Sequence, residues 1–245
     1  MSDLAHQAFP MAQQMAVSLA RLLRNGETVF HGVASPLPMV ATLLAQATHA
    51  PDLIYLSIAG GVDPMPETLP RSTADAVLRA GATGYVTLAE IFDLSARGRL
   101  DVAFLSGVQI DGAGSINMSV IGDVRQPKVR LPGGAGSALL LPTARRPILW
   151  RTRHDRRVFV DQLDFTTASG PVDAVVTPLG VFRGRSGRLV LQHLHPGVPL
   201  DAVREATGFP LIVADDLDVA HPPTPEELAV LARIDPTGIV ASEFA

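Results

Sequence analysis

The sequence predicts an α/β protein: an open, mixed, mostly parallel sheet with helices on both faces. Two patterns point there. Short strand-type runs alternate with apolar-periodic helical runs, and residues 11–58 read α-β-α-β. Further along, glycine turns join neighbouring strand-type runs, which adds antiparallel pairs to a parallel plan. The 47% apolar and 18% charged composition suits a globular chain with a substantial core. We read residues 1–245 as a single domain.

The first helix lies within residues 11–24, where Met15, Leu19, Leu22 and Leu23 form one stripe and Asn25-Gly26 supplies the stop. TVFHGV (28–33) is a strand. Ser35 is placed to cap a helix that has Pro36 at its first position and continues through MVATLLAQAT. LIYLSIAGG (53–61) is the next strand and ends in a glycine pair. Residues 85–97 read as helix and VAFLSGVQI (102–110) as a buried-type strand, followed by a turn at DGAGS (111–115) and a glycine-rich loop over 127–137. Strands are expected at 157–167 and as a hairpin, DAVVTPLGVF and RLVLQHL, joined by RGRSG. LDAVREATG (200–208) is helical, and Thr224-Pro225-Glu226-Glu227 opens another helix with a capping box.

Composition excludes several function classes. A formal charge of −4 argues against a nucleic-acid binder that relies on bulk charge. The sequence has no cysteine, which removes disulfides, thiolate zinc sites and thiol nucleophiles together. No apolar run approaches the roughly 18–20 residues of a membrane span, and no basic segment followed by an apolar one opens the chain, so a cytoplasmic protein is expected. Mean hydropathy of +0.26 is high for a soluble monomer and points to surface buried against a partner.

Candidate chemistry is sparse. In PGGAGS (132–137), small residues expose successive backbone N–H groups that can cradle a phosphate or an oxyanion, although the loop matches neither GxGxxG nor a Walker A motif. A tight connection between sheet and helix is the plainer use of such a loop. His193 and His195 stand two apart on a predicted strand without an evident third metal ligand. The six arginines of 145–157 could meet phosphates but read more simply as a solvated face. Asp215, Asp216 and Asp218 follow no calcium-loop spacing and read as a surface turn. No GxSxG elbow is present, and no metal site is expected.

Several stretches resemble the β subunit of family I CoA-transferases, the heteromeric group that includes glutaconate CoA-transferase. They are APDLIYLSIAGGVDPMPETLPRS (50–72), FLSGVQIDGAGSINMSVIGD (104–123), PKVRLPGGAGS (127–137), RRVFVDQLDFTTASG (156–170), VVTPLGVF (175–182), LHPGVPLDAVREATGF (194–209) and IDPTGI (234–239). The resemblance implies an open sheet of the NagB/RpiA-like CoA-transferase type and an α subunit in a heterodimer or heterotetramer. It also implies an acyl-CoA thioester as substrate, no covalently bound cofactor, and no nucleic-acid or membrane partner. By the same resemblance, Gly133, Gly134, Ala135, Gly136 and Ser137 would supply donors to the thioester oxygen, while Ser57, Ile58, Ala59, Gly60, Gly61 and Gln109 would line the substrate pocket.

Transferases of this group also use a β-subunit glutamate that forms a glutamyl thioester with CoA. It sits at the end of the strand that follows an Ala-Pro-Asp segment. Counting from Ala50-Pro51-Asp52 places Ile58 there, and the neighbouring registers offer Leu56, Ser57, Ala59 or Gly60. A branch of the same group that hydrolytically opens steroid rings also lacks this glutamate and draws its acid from the partner subunit. Transfer, hydrolysis with an acid supplied in trans, and a non-catalytic structural role are therefore all compatible with the resemblance.

Overall fold

The computed structural model describes residues Ser2 to Phe244. The chain forms two compact units, one of Met1–Phe104 with Pro222–Ala245 and the other of Leu105–His221. The first unit carries α1 (Ser2–Ala20), β1 (Thr28–His31), α2 (Pro36–Ala47), β2 (Ile54–Leu56), β3 (Gly61–Val62), β4 (Gly84–Tyr85), α3 (Leu88–Ala96) and β5 (Val102–Leu105). The second carries β6 (Gln109–Ile110), β7 (Ile116–Asn117), β8 (Val120–Ile121), β9 (Val129–Arg130), α4 (Ser137–Thr143), β10 (Arg146–Trp150), β11 (Ala174–Thr177), β12 (Gly180–Arg185), β13 (Arg188–Leu194), α5 (Leu200–Ala206) and β14 (Ile212–Val219). The chain then returns to the first unit with α6 (Pro225–Ile234).

In the first unit β1 pairs in parallel with both β2 and β5, so the α2 crossover leaves the carboxyl ends of three strands together. β3 and β4 then add antiparallel at the edge. α2 is apolar on almost every face, and Leu37, Met39, Val40, Ala41, Leu44 and Ala45 are all buried. α1 lies against it, with Met15, Leu19 and Leu23 buried as their spacing predicts. The α6 capping box forms between Thr224 and Glu227, and the Glu227 carboxylate also takes the Arg21 guanidinium at 2.7 Å, which ties α6 to the end of α1.

The second unit joins parallel β10–β11 and β13–β14 ladders through antiparallel β11–β12–β13. The RGRSG connection is the expected hairpin turn, with Ser186 and Gly187 both at positive φ. The result is the open mixed sheet with helices that the sequence predicts.

Four local expectations need correction. Ser35 stands at the N-cap of α2, but its hydroxyl donates back to the Val33 carbonyl at 3.0 Å. Its capping role passes to Glu243, whose carboxylate accepts the Leu37 N–H at 2.6 Å. Residues 157–167 are not a strand. The Asp155 carboxylate accepts the N–H groups of Arg157 and Val158 at 2.8 and 3.1 Å and coils the chain, leaving isolated bridges at Phe159 and Ala168. The 102–110 strand breaks at Ser106-Gly107, where the Ser106 hydroxyl donates to the Trp150 carbonyl and a Cβ on Gly107 would lie 2.8 Å from the Gln109 carbonyl. Asp215, Asp216 and Asp218 lie on strand β14 rather than in a turn.

Candidate active site

The first candidate region is the β2–β3 hairpin. Leu56 pairs with Val62, and between them Ser57-Ile58-Ala59-Gly60 forms a four-residue turn closed by Gly60 N–H to the Ser57 carbonyl at 2.9 Å. Ile58 and Ala59 occupy the two central positions and are half-buried. The glycine pair is required by the chain's own backbone. A Cβ on Gly61 would lie 2.2 Å from the Leu78 carbonyl, and one on Gly60, which also has φ +99°, would lie 2.9 Å from that of Val86.

The polar groups of the hairpin are spoken for. The Ser57 hydroxyl is buried, donates to the Leu78 carbonyl and accepts the Gly61 N–H, both at 3.0 Å. Asp63, the first acid after β2, accepts the Tyr55 N–H and the Gln46 side-chain amide, both at 2.8 Å. Beside this turn His31 and Tyr55 meet across β1 and β2, with His31 Nε2 2.6 Å from the Tyr55 hydroxyl. His31 Nδ1 faces the Gly32 carbonyl, which can only accept, so Nδ1 carries the proton and Nε2 accepts from Tyr55. Burial lowers the His31 pKa to about 4, and burial raises that of Tyr55. The Ser57 hydroxyl, His31 and Tyr55 are thus committed to internal hydrogen bonds.

The second region is the glycine loop. Gly133 has φ +91°, Ala135 φ +43° and Gly136 φ −70°, the mixed left- and right-handed backbone from which anion-binding nests are built. The Gly133 N–H donates to the Met118 carbonyl at 2.7 Å, whereas those of Gly134, Ala135 and Gly136 meet no acceptor among the described residues. Ser137 begins α4, its N–H bonded to the Gly134 carbonyl at 2.7 Å.

Gln109 is joined to this loop through a buried network. Its side-chain oxygen accepts from Asn117 Nδ2 at 2.7 Å and from the Asp164 N–H at 3.1 Å, and its amide nitrogen donates to Asp164 at 3.1 Å. The Asn117 oxygen accepts the Ser119 N–H at 2.9 Å. Gln109 thus supports the segment beneath the loop, with both ends of its amide engaged. Ser57 to Gly61 belong to the first unit; Gln109 and Gly133 to Ser137 belong to the second.

The remaining candidates resolve into separate contacts. The His193 ring pairs with Asp218, whereas His195 is buried against the Pro178 carbonyl, so the two do not form a shared ligand pair. Among the described residues no cluster of three or more metal-ligating side chains occurs. The arginine-rich segment is dispersed: Arg146 pairs with Asp173 at 2.8 Å, Arg153 with Asp155 at 2.5 Å, and Arg156 donates to the Glu205 carbonyl at 2.8 Å.

Residues 12–206 match the family described as coenzyme A transferase. The chain belongs to the coenzyme A transferase family. It is 34% identical to the corresponding subunit of the 3-oxoadipate CoA-transferase of Pseudomonas knackmussii (strain B13), covering 93% of this chain and 94% of the relative. It is 28% identical to the IpdB component of the cholesterol ring-cleaving hydrolase of Rhodococcus jostii (strain RHA1), covering 93% of each. Among solved structures, a chain of the decarboxylase AibA/AibB superposes with a TM-score of 0.91 at 35% identity, over 96% of this chain and 99% of that one.

CoA-transferases use CoA thioesters as substrates. Sequence reasoning missed the groups that hold this CoA-transferase fold around its candidate sites. His154 is buried inside the arginine-rich segment, stacked on Phe159 at 3.9 Å and bonded to Thr177 and Thr207 at 3.0 and 3.1 Å. Thr207 donates to the Val203 carbonyl, so it accepts from His154 Nε2, and burial lowers the His154 pKa to about 3. Thr167 and Ser119, beneath the glycine loop, carried no signal beyond lying in family-like stretches.

Proposed function

We propose that this chain is the β subunit of a heteromeric enzyme acting on an acyl-CoA thioester, and that its own strand end supplies no nucleophile. The carrying observation is the β2–β3 turn. Ile58 stands at its half-buried centre, where related transferases keep the glutamate, while the Ser57 hydroxyl is engaged by Leu78 and Gly61 and Asp63 holds Tyr55 and Gln46 through one carboxylate oxygen. Residues 1–245 are read as a single CoA-transferase β-subunit domain, partnered by an α subunit in the cytoplasm. That partner brings the acid or base of the reaction. Coenzyme A enters as part of the substrate.

In this reading Gly133 to Ser137 receive the thioester oxygen with Gln109 supporting them in the second unit, and Ser57 to Gly61 are the substrate-lining residues of the first. Acyl transfer, hydrolysis and decarboxylation next to a thioester all place negative charge on that oxygen. One set of backbone donors serves each of them, and in well-studied enzymes one such donor lowers the barrier by roughly 3–4 kcal/mol.

A second reading, hydrolytic or carbon–carbon bond-cleaving chemistry in place of transfer, is favoured by the same vacant position. It is supported by the similarity to relatives named as a ring-cleaving hydrolase and a decarboxylase. The deciding experiment incubates the assembled complex with 3-oxoadipyl-CoA or glutaconyl-CoA in the presence of borohydride or hydroxylamine, followed by mass spectrometry. The expected result is no adduct on residues 53–62, with either CoA release without an acceptor acid (thioester hydrolysis) or an acyl-CoA product cleaved at a carbon–carbon bond with its thioester intact. A trapped acyl or CoA adduct on this chain would overturn the assignment of Ile58 as a vacant catalytic position.

A further inference from the structure

Thr167 lies directly beneath the glycine loop, touching Gly134 itself and the Met118-Ser119 segment that supports the loop. Its hydroxyl oxygen accepts the Met118 N–H at 2.8 Å, and the Met118 carbonyl in turn receives the Gly133 N–H at 2.7 Å. The same hydroxyl pairs with the Ser119 hydroxyl at 2.7 Å. Its methyl group forms the floor under Gly134, since a Cβ built there would lie 2.7 Å from Thr167 Cγ2. The Thr167 backbone is itself anchored, its N–H donating to the Ile116 carbonyl at 2.9 Å. One side chain thus fixes both the height of the loop, through the Gly134 contact, and its lateral register, through Met118 and Ser119.

We propose that Thr167 is the positioning residue of the glycine loop, holding the Gly134, Ala135 and Gly136 N–H groups on the thioester oxygen, with Ser119 as its hydroxyl partner. The inference rests on the oxyanion reading of the loop given above. Donors of this kind act only when held at hydrogen-bond distance from the place where charge develops, and a displacement of about 1 Å is enough to cost on the order of 100-fold in rate. Thr167 needs no contact with substrate to have that effect. Its loss should appear in kcat while ground-state binding of the CoA portion stays in place.

The test uses the αβ complex, with turnover of 3-oxoadipyl-CoA and glutaconyl-CoA, followed by mass spectrometry of the acyl-CoA pool, as the readout and amide hydrogen exchange of Met118 and Gly133 alongside. Thr167→Val keeps the shape and removes the hydroxyl. It should lower kcat about 10- to 100-fold with KM within about threefold, and speed exchange at both amides. Thr167→Ser restores the hydroxyl and should recover kcat to within about fivefold of wild type. Ser119→Ala, a gentler change, should lower kcat about three- to tenfold. Gly134→Ala tests the loop independently, because the new methyl must push against Thr167. Activity and exchange unchanged in Thr167→Val, with Gly134→Ala impaired, would overturn the positioning role alone. Unchanged activity in both would overturn the oxyanion reading as well. Where a substrate is not turned over, slow wild-type-like exchange in Thr167→Val would by itself overturn the proposal.

Discussion

His31 and Tyr55 share a 2.6 Å hydrogen bond between adjacent parallel strands, with the histidine neutral and the tyrosine hydroxyl donating. Burial of the pair leaves no room for a charged imidazole, and the same holds for His154 and His195. Their pKa values are lowered to about 4, 3 and 4, in each case chiefly by burial.

These three histidines predict the acid side of the stability profile. Their folded pKa values lie below the ordinary value of 6.5, so the unfolded chain takes up protons first as pH falls. Their stabilisation is complete above about pH 6.5 and declines steadily toward pH 4, by about 1 kcal/mol per pH unit for each histidine. Urea unfolding between pH 7.5 and 4.5 should show this slope, and His154→Gln should make it shallower. A midpoint independent of pH over that range would contradict the neutral assignments.

Ser57 is a structural hydroxyl. Ser57→Ala leaves the buried Gly61 N–H without an acceptor and the Leu78 carbonyl without this donor, at a cost of about 1–3 kcal/mol in chemical unfolding. Acylation of Ser57 on incubation with acyl-CoA would show that the hydroxyl leaves these partners, contrary to this role.

The helices were legible because their signals are local. The apolar length of α2 and the capping box of α6 reside in contiguous residues and the structure keeps both, while of the first-helix stripe Met15 and Leu19 lie on α1 and Leu22 and Leu23 follow its end at Ala20. The segment 157–167 misled because RVFVDQLDF is rich in strand-forming residues, while the Asp155 turn and the His154 ring that stacks on Phe159 come from side chains just before it. The same reason hides the candidate site. The apolar centre of the β2–β3 turn is visible in SIAGG. The neutral state of His154 is not, because it depends on Thr177 and Thr207, which are distant in sequence. The Thr167 floor likewise depends on Gly134, 33 residues before it by their numbers.

Gly61 should be the least tolerant position of the hairpin. Gly61→Ala places a methyl 2.2 Å from the Leu78 carbonyl, a backbone atom that cannot swing aside, so the β2–β3 turn and the segment around Leu78 must separate. A loss of about 2–4 kcal/mol is expected, in the range of severe overpacking. Gly26→Ala is the control: φ is +78° there but nothing lies within 4 Å, so only backbone strain of about 1–2 kcal/mol applies. Thermal or urea unfolding of the two variants should rank them in that order. Equal losses would show that the close approach at Gly61 is relieved cheaply.

Ile58→Glu asks whether a carboxylate alone makes the turn a transferase site. The position is central in the turn and half-buried, so the new side chain can reach solvent and the variant should stay within about 1 kcal/mol of the parent in stability. A carboxylate acts as a nucleophile only when the thioester carbon is presented to it in near-attack geometry and the leaving CoA is held. In the proposed reading the partner subunit supplies the acid or base, and that geometry is set elsewhere. Acceptor-dependent CoA transfer should therefore remain at background in the αβ complex, with no glutamyl-CoA adduct at residue 58 by mass spectrometry. Efficient transfer by this one substitution would mean that the pocket already aligns acyl-CoA on the β2–β3 turn and lacks only the nucleophile.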